Sequence, residues 1–321
     1  MNEFQLIDFI TKDFPVYKPN LIKGIGDDCA VWTENGSIRV FTTDTMVEGD
    51  HFKKDWMSAE QIGKRLIEIN ISDIVAMGAM PDLLFVSLVV DDNTSSEWLK
   101  LLYQGIKETC LNYQVTLAGG NITHGQTLSL NVGIFGNSDD AVVYRSGAKT
   151  NDLLCVTGNI GSACCARLLL AKNKKVPADL LSAFVAPKAR LLEAQVIKKY
   201  ATSMIDVSDG LAGESRHLAK ESGLGVLINS SDIPYHIDAL EIESQLDVSL
   251  MDCALRGGED FELMFSVSQN DYDKLKKEYK FKSPITVIGK FLPEKKYQYS
   301  VNEKILDLPK GFDHFSDNIN L

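Results

Sequence analysis

Ser58-Ala-Glu-Gln-Ile-Gly-Lys-Arg-Leu-Ile-Glu-Ile-Asn-Ile-Ser-Asp-Ile-Val-Ala-Met-Gly-Ala-Met-Pro-Asp-Leu-Leu-Phe-Val-Ser-Leu-Val-Val90 is the stretch that decides the fold. Ser58 followed three residues later by Gln61 is a capping box, the signature of a helix start. Ile62, Leu66, Ile69, Ile74 and Met77 then recur at helical spacing. Gly78 and Pro81 end the helix. Leu83–Val90 is apolar on successive residues, as in a strand covered on both faces. A helix feeding a fully covered strand is the unit of an α/β layer structure.

The same alternation extends both ways. Upstream, Phe4–Phe14 reads as a short amphipathic helix stopped by Pro15, and Val31-Trp32 and Ile38–Thr43 read as strands. Downstream, Thr94-x-x-Glu97 predicts the cap of a helix reaching about Cys110, and Val115–Leu117 and Leu128–Phe135 read as strands. A turn-rich break, Gly147–Asp152, precedes a second series of strands at Leu153–Thr157, Thr202–Ile205, Val226–Ile228, Phe261–Val267 and Ile285–Ile288. Helical patterns lie between them at Ser162–Ala171, Lys188–Lys199 and Gly210–Glu221. The expected organisation is two α/β domains, residues 1–148 and 149–321.

The chain has 321 residues, 44 acids against 33 bases and a formal charge of −11. A chain this long buries roughly three quarters of its unfolded surface, so core size is not limiting. The charge argues against a basic surface for nucleic acid, but it leaves open phosphate ligands held through metal ions. The opening MNEFQLIDFI has no basic n-region, and no apolar run is long enough to span a bilayer. None of the six cysteines forms a C-x-x-C pair, so they read as reduced, buried, small apolar residues of a cytoplasmic protein.

Common catalytic motifs are missing. There is no P-loop, no G-x-G-x-x-G after a strand, no G-x-S-x-G elbow, no H-E-x-x-H and no protein-kinase signature. The five histidines lack metal-ligand spacing. What recurs is aspartate beside glycine, serine or threonine at strand ends: Gly24-Ile-Gly26-Asp27-Asp28, Thr42-Thr43-Asp44-Thr45, Ser72-Asp73, and Asp206-Val-Ser208-Asp209-Gly210. Carboxylates and hydroxyls are the hard oxygen ligands that suit Mg²⁺ together with substrate phosphates. Taken singly, such pairs are also the chemistry of solvated turns, and Asp209-Gly210 is compatible with a helix N-cap. Ser72-Asp73 is harder to dismiss, because a carboxylate inside an apolar helix is costly unless paired or metal-bound. Gly257-Gly258-Glu259-Asp260 offers close backbone approach and a polar contact at Glu259, or a simple turn. Arg145 offers a planar fork for a phosphate, and Tyr103 and Phe312 offer rings that either stack on a ligand or pack.

Taken together, five strings resemble the thiamine-monophosphate kinase family, in the superfamily of aminoimidazole ribonucleotide synthetase and selenophosphate synthetase. They are Gly24-Ile-Gly-Asp-Asp-Cys-Ala-Val31, Thr43-Asp-Thr-Met-Val-Glu-Gly-Asp-His-Phe52, Ser72-Asp-Ile-Val-Ala-Met-Gly-Ala79, Met204-Ile-Asp-Val-Ser-Asp-Gly-Leu211 and Gly257-Gly-Glu-Asp-Phe-Glu-Leu263. They fall in family order across the chain, and the ending Gly-Phe-Asp-His-Phe315 is similar too.

The resemblance implies an α/β (α+β), two-domain aminoimidazole ribonucleotide synthetase-like fold. In that fold the N-terminal domain contributes strands to an intersubunit barrel, which makes a homodimer the expected assembly. It implies ATP-dependent phosphorylation of thiamine monophosphate to thiamine diphosphate, with several Mg²⁺ ions. By resemblance, Asp28, Thr42, Thr43, Asp44, Asp73, Asn121, Asp206 and Asp209 are metal ligands, with Asp27 a weaker candidate. Asp44, Asp73 and Asp206 are the catalytic set. Tyr103, Gly120, Asn121, Arg145 and Ser208 contact the nucleotide, and His51, Glu259 and Phe312 contact thiamine monophosphate.

Two departures stand out. The family's Gly-Gly-Asp-Thr-Thr is Gly119-Gly120-Asn121-Ile122-Thr123 here, which keeps an oxygen ligand and loses a charge. Asp50 stands where valine is common. The alternative to the kinase is a nucleotide- or metal-binding superfamily member with lost or different ATP-dependent activity, and Asn121 is the feature that favours it. Selenophosphate synthesis is disfavoured, since no cysteine precedes Cys29.

The acceptor is itself a phosphate and needs no strong base, so the expected mechanism is in-line transfer by positioning and charge neutralisation. Nine acids, Asp27, Asp28, Asp44, Glu48, Asp73, Asp206, Asp209, Glu259 and Asp260, are expected in or beside the cleft. Setting them aside leaves 35 acids against 33 bases.

Overall fold

The computed structural model of the chain describes residues 3–312, so Asp313, His314 and Phe315 of the C-terminal string lie outside the described residues. Helix α1 (Glu3–Thr11) is followed by β1 (Leu21–Lys23), β2 (Ala30–Glu34) and β3 (Ser37–Val47). Then come α2 (Ala59–Ala76), β4 (Met80–Val90), α3 (Ser96–Tyr113), β5 (Thr116–His124) and β6 (Ser129–Ser138). The six strands form one sheet in the order β1-β2-β3-β6-β4-β5. Only β4 and β5 pair in parallel, joined by α3, which makes a β-α-β crossover at one edge.

A second sheet draws on β7 (Leu153–Thr157), β8 (Ser203–Asp206), β9 (Gly225–Asn229), β10 (Leu263–Val267), β11 (Ile285–Leu292), β12 (Tyr297–Val301) and β13 (Lys304–Asp307). Their order is β13-β12-β9-β11-β7-β10-β8. Between these strands run α4 (Ser162–Ala171), α5 (Ala178–Val185), α6 (Leu191–Ile197), α7 (Leu211–Glu221), α8 (Ile237–Ile242), α9 (Leu250–Arg256) and α10 (Gln269–Glu278). The α/β expectation holds for both sheets.

Helix α2 is the hub. Its capping box is formed in both directions, Ser58 Oγ accepting from Gln61 N and Gln61 Oε1 accepting from Ser58 N. Beyond its apolar stripe, its polar residues Arg65, Asn70 and Ser72 are buried as well. On one side it packs on α3 through paired glycines. A Cβ on Gly63 would lie 2.1 Å from Leu102 O, and one on Gly105 would lie 2.0 Å from Glu60 O. Four polar contacts join it to the chain's second half: Arg65 to Glu259 and to Phe184 O, Ala189 N to Glu68 Oε2, and Ser72 to Asp206.

Several boundaries differ from expectation, each for a local reason. Ser95, not Thr94, caps α3, its side chain accepting from Trp98 N, while Thr94 donates to Asp91 and accepts from Lys54. Pro81 does not end the helix; it sits within β4 beside a register shift, where a missing N–H is tolerated. Strand β5 continues seven residues beyond the Leu117 expected as its end, through Gly119-Gly120-Asn121 to His124. Phe261 is not in a strand: its φ of 51° delays β10 to Leu263. All six cysteines are free and buried, as expected. Among the described residues no helix is long and apolar enough to cross a membrane.

The glycine contact between α2 and α3 has no room for a methyl group. Gly63→Ala and Gly105→Ala should each destabilise the chain by about 1–3 kcal/mol, despite alanine's better helix propensity. Urea unfolding of the two variants measures this, and a stability gain in either would show that the helices move apart freely.

Candidate active site

The seam between the two sheets collects the carboxylates. Asp28 comes from the turn before β2, Asp73 from the last turn of α2, and Asp206 from the end of β8. One carboxylate oxygen from each lies within 4.8 Å of the other two. Asp28 and Asp206 are buried. Neighbouring hydroxyls and one cation partly satisfy them. Thr42 Oγ1 donates to Asp73 Oδ2 at 2.8 Å, and Ser72 Oγ donates to Asp206 Oδ2 at 2.6 Å. Arg145 donates to Asp28 Oδ1 from Nε (3.0 Å) and Nη2 (2.5 Å), and its backbone N–H donates to Asp27 Oδ1 at 3.2 Å. Asp28 Oδ2 is buried and makes no hydrogen bond.

Burial and mutual repulsion raise every proton affinity here. Asp206 is pushed up to about 8 by burial and then by Asp28. Asp73 lies well above the ordinary carboxylate range, through burial, then Asp44, Asp206 and Asp28. Asp27 rises to about 6 through burial and the adjacent Asp28. Asp28 rises through burial, against the pull of Arg145. Crowded carboxylates of this kind are stable as anions only beside a cation.

The period of two along β3 divides the Thr42-Thr43-Asp44 string. Thr42 and Asp44 share the face that carries buried Val40 and Met46, towards α2, where Asn70 Oδ1 accepts from Asp44 N at 3.1 Å. Thr43 lies on the opposite face, where Asn131 Nδ2 donates to its hydroxyl at 3.3 Å and to Thr45 Oγ1 at 2.7 Å. By register Asn121 pairs with Ser87, Ser87 with Asn131 and Asn131 with Thr45, which puts Asn121 on that same outward face. Within one chain, Thr43 and Asn121 are therefore not gathered with the three-aspartate cluster. A Cβ on Gly120 would lie 1.8 Å from Val86 O, so the backbone must be bare there.

The loop after β8 brings together most of the remaining candidates. Ser208 O accepts from Glu259 N at 2.7 Å, and Asp209 O accepts from Phe312 N at 3.1 Å. Gly210 is the N-cap of α7 with no side-chain cap bond, so Asp209 is not a cap. The Glu259 carboxylate accepts from Arg65 Nη2 at 2.6 Å. His51 Nδ1 accepts from Val47 N at 3.3 Å. Tyr103 is apart from this assembly. It lies on α3 beside Lys100, Gln104 and Lys107, level with the N-terminal half of α2, whereas Asp73 is in its last turn. Two of the nine acids have other work: Asp260 accepts from Gly161 N and Ala163 N at the start of α4, and Glu48 pairs with Lys54 at 3.2 Å.

Sequence reading missed three residues. Asn70 orders the backbone of Asp44. Glu214 accepts from Asp209 N at 3.0 Å and is raised by burial and Asp209. Arg65 is buried behind Glu259. The available signal was a polar residue inside an apolar helical stripe, which marks Arg65 and Asn70.

Comparison with known proteins matches this arrangement. Residues 26–137 match the family model described as AIR synthase related protein, N-terminal domain. The thiamine-monophosphate kinase of Buchnera aphidicola subsp. Acyrthosiphon pisum is 34% identical over 323 residues, covering 98% of each chain. That of Bacillus subtilis is 34% identical over 330 residues, covering 98% of this chain and all of its own. The chain belongs to the thiamine-monophosphate kinase family. The solved structure of AaThiL complexed with AMPPCP and TMP overlays with a TM-score of 0.86 at 28% identity, covering 98% of this chain and 97% of that chain. The fold is thus the α/β arrangement of AIR synthase related proteins, in a kinase family whose members match over nearly their whole length.

The Asp206 value fixes a pH dependence. A carboxyl whose native value lies above its unfolded value binds more protons in the native state. Its contribution is whole below about pH 4 and is lost as the pH rises towards 8. In a chelator, the chain should lose stability between about pH 5 and about pH 8, and Asp206→Asn should lose less. Urea unfolding at the two pH values measures both slopes; parallel slopes would show that Asp206 does not carry the effect.

Proposed function

We propose that this family member transfers the γ-phosphoryl group of ATP directly to the phosphate of thiamine monophosphate, in line, with several magnesium ions. Family membership at 34% identity over 98% of the chain makes it an ATP-using thiamine-phosphate kinase. The observation that carries the metal-assisted reading is the Asp28–Asp73–Asp206 cluster with its unpartnered Asp28 oxygen. The donor set is all oxygen and largely anionic, which fits magnesium. Asp28, Thr42, Asp44, Asp73 and Asp206 would hold it, with Asp209 beside them and Thr43 and Asn121 on the outward side. When bound, magnesium supplies the cationic charge that offsets the transferring phosphoryl oxygens.

The chain's own residues supply position. Arg145, whose Nε and Nη2 donate to Asp28, would meet nucleotide phosphates through its Nη1 side, and Ser208 and Gly120 offer a hydroxyl and a bare backbone. His51, Glu259 and Phe312 orient thiamine monophosphate, Phe312 by stacking. No strong base is needed, because the acceptor is an ionised phosphate. AaThiL complexed with AMPPCP and TMP supports both substrates by its ligands.

The reading extends to a cytoplasmic homodimer whose N-terminal sheets share a barrel. It also divides the chain near residue 148 into an ATP/Mg-binding half and a C-terminal half. In support of the dimer, the sheet face away from α2 carries Trp32, Phe41 and Phe85 packed around Phe135, and Phe85 is 42% exposed. A face of this kind suits a second copy of itself.

Asp44→Asn and Asp73→Asn should abolish thiamine diphosphate formation while leaving the unfolding transition in place. Near-normal rates in both would overturn the metal-scaffold mechanism. Asn121→Asp restores a charge on the outward face and should lower the magnesium needed for half-maximal rate. An unchanged magnesium titration would show that asparagine serves equally well. No product from the parent chain, alongside intact ATP binding, would favour a binding protein.

A further inference from the structure

We propose that Arg65 is a positioning residue of the substrate site, holding the Glu259 carboxylate across the seam in the orientation from which it meets thiamine monophosphate. This rests on the reading of Glu259 as a substrate contact.

Arg65 is 1% exposed and is the largest fully buried side chain among the described residues. Its helix neighbours Ile62, Leu66 and Ile69 are the apolar residues a core position ordinarily takes. Burying a guanidinium there is costly unless its charge and its N–H groups are matched. Nη2 donates to Glu259 Oε1 at 2.6 Å, and Nη1 donates to Phe184 O. The guanidinium carbon lies 4.9 Å from the Phe184 ring centre and 5.5 Å from that of Phe261. Only the planar fork of arginine serves a carboxylate, a carbonyl and two ring faces together.

The pair is asymmetric. The Arg65 side chain is 1% exposed and that of Glu259 is 20% exposed, so the cation stands behind and the carboxylate in front. Arg65 therefore cannot touch a ligand itself. The second oxygen, Glu259 Oε2, has Arg167 Nε at 3.7 Å, too far for a hydrogen bond, so it keeps its capacity to accept from a ligand.

The backbone at Glu259 needs holding. Its φ is 63°, between Gly258 at 64° and Phe261 at 51°. Left-handed conformations at non-glycine residues persist only where the surroundings over-determine them. Glu259 N and Phe261 N donate to Ser208 O and Val207 O, and the Arg65 side chain contacts the loop twice more, at the carboxylate and at the Phe261 ring. Arg65 is the contact that comes from the first sheet's own helix, so it registers Glu259 against Asp73 on the same helix.

The test compares Arg65→Met, Arg65→Lys, Glu259→Gln and the Arg65→Met/Glu259→Gln double variant by steady-state kinetics, with thermal unfolding as the folding control. Losing a buried charged hydrogen bond predicts a KM for thiamine monophosphate raised roughly ten- to a hundredfold in Arg65→Met and in Glu259→Gln. The KM for ATP should stay near the parent value. The double variant should be no worse than the worse single one, and Arg65→Lys should fall between parent and Arg65→Met. A raised KM in Glu259→Gln with a parental KM in Arg65→Met overturns the positioning role alone. Multiplied effects in the double variant, or equal rises in both KM values, overturn it as well. A parental KM in Glu259→Gln overturns the reading of Glu259 and the positioning role with it. If Arg65→Met does not fold, Arg65→Lys decides: its KM must rise in the parent background and stay unchanged beside Glu259→Gln.

Discussion

Like charges buried side by side are the constraint on which this structure turns. Asp28, Asp73 and Asp206 approach within 4.8 Å, with Asp28 and Asp206 buried and Asp73 part-buried. Left alone, such a group either takes up protons or drives the chain apart. Arg145 offsets one charge, and the Thr42 and Ser72 hydroxyls supply donors to two more. The remaining deficit is the charge that the proposed magnesium ions would offset. The surrounding backbone is disposed to keep the carboxylates together: a glycine turn before β2, the last turn of α2 and the end of β8.

Helix α2 carries that constraint between the two sheets. A helix this buried ordinarily shows only apolar residues. Here Arg65, Glu68 and Ser72 lie on the side facing the second half of the chain, and each finds a partner there. Removing either member of such a pair strands the other, which is more damaging than never having had the pair. The seam is thereby specified as well as stabilised, since sliding α2 by one turn would leave all three groups unmatched.

Much of this was legible in the sequence, for identifiable reasons. Ser58 and Gln61 state the start of α2 outright. The apolar Leu83–Val90 run marks β4, although the strand is buried on one face only, at Leu84, Val86 and Leu88, and Leu153–Thr157 and Ser162–Ala171 match β7 and α4 residue for residue. Short elements escaped. Helices α5, α8 and α10 lack a long apolar stripe, and β12 and the edge strand β13 are half-exposed and exposed, without clear alternation. Strand β5 is exposed along its whole length, so no burial pattern betrays it. At the site, the aspartates were legible as residue types. The placing of Thr43 and Asn121 on the opposite face was not, because that depends on the register from β3 through β6 and β4 to β5. Pairs such as Arg65–Glu259 span 194 positions, and no local pattern encodes a partner so far away.

One consequence of α2 concerns length. Arg65 and Asp73 stand eight residues apart on one helix, and at 1.5 Å per residue that is about 12 Å along its axis. Through Arg65 the helix fixes Glu259, and through Asp73 it fixes the carboxylate cluster. On the proposed reading of Glu259 and the cluster as the two ends of the substrate site, both are mounted on a single stiff rod, and a molecule that must reach both is gauged against it. A ligand too short by a few bonds would leave one end unfilled, and no loop movement could shorten the rod to meet it. The spacing is set by backbone hydrogen bonds and so is indifferent to side-chain repacking elsewhere in the chain.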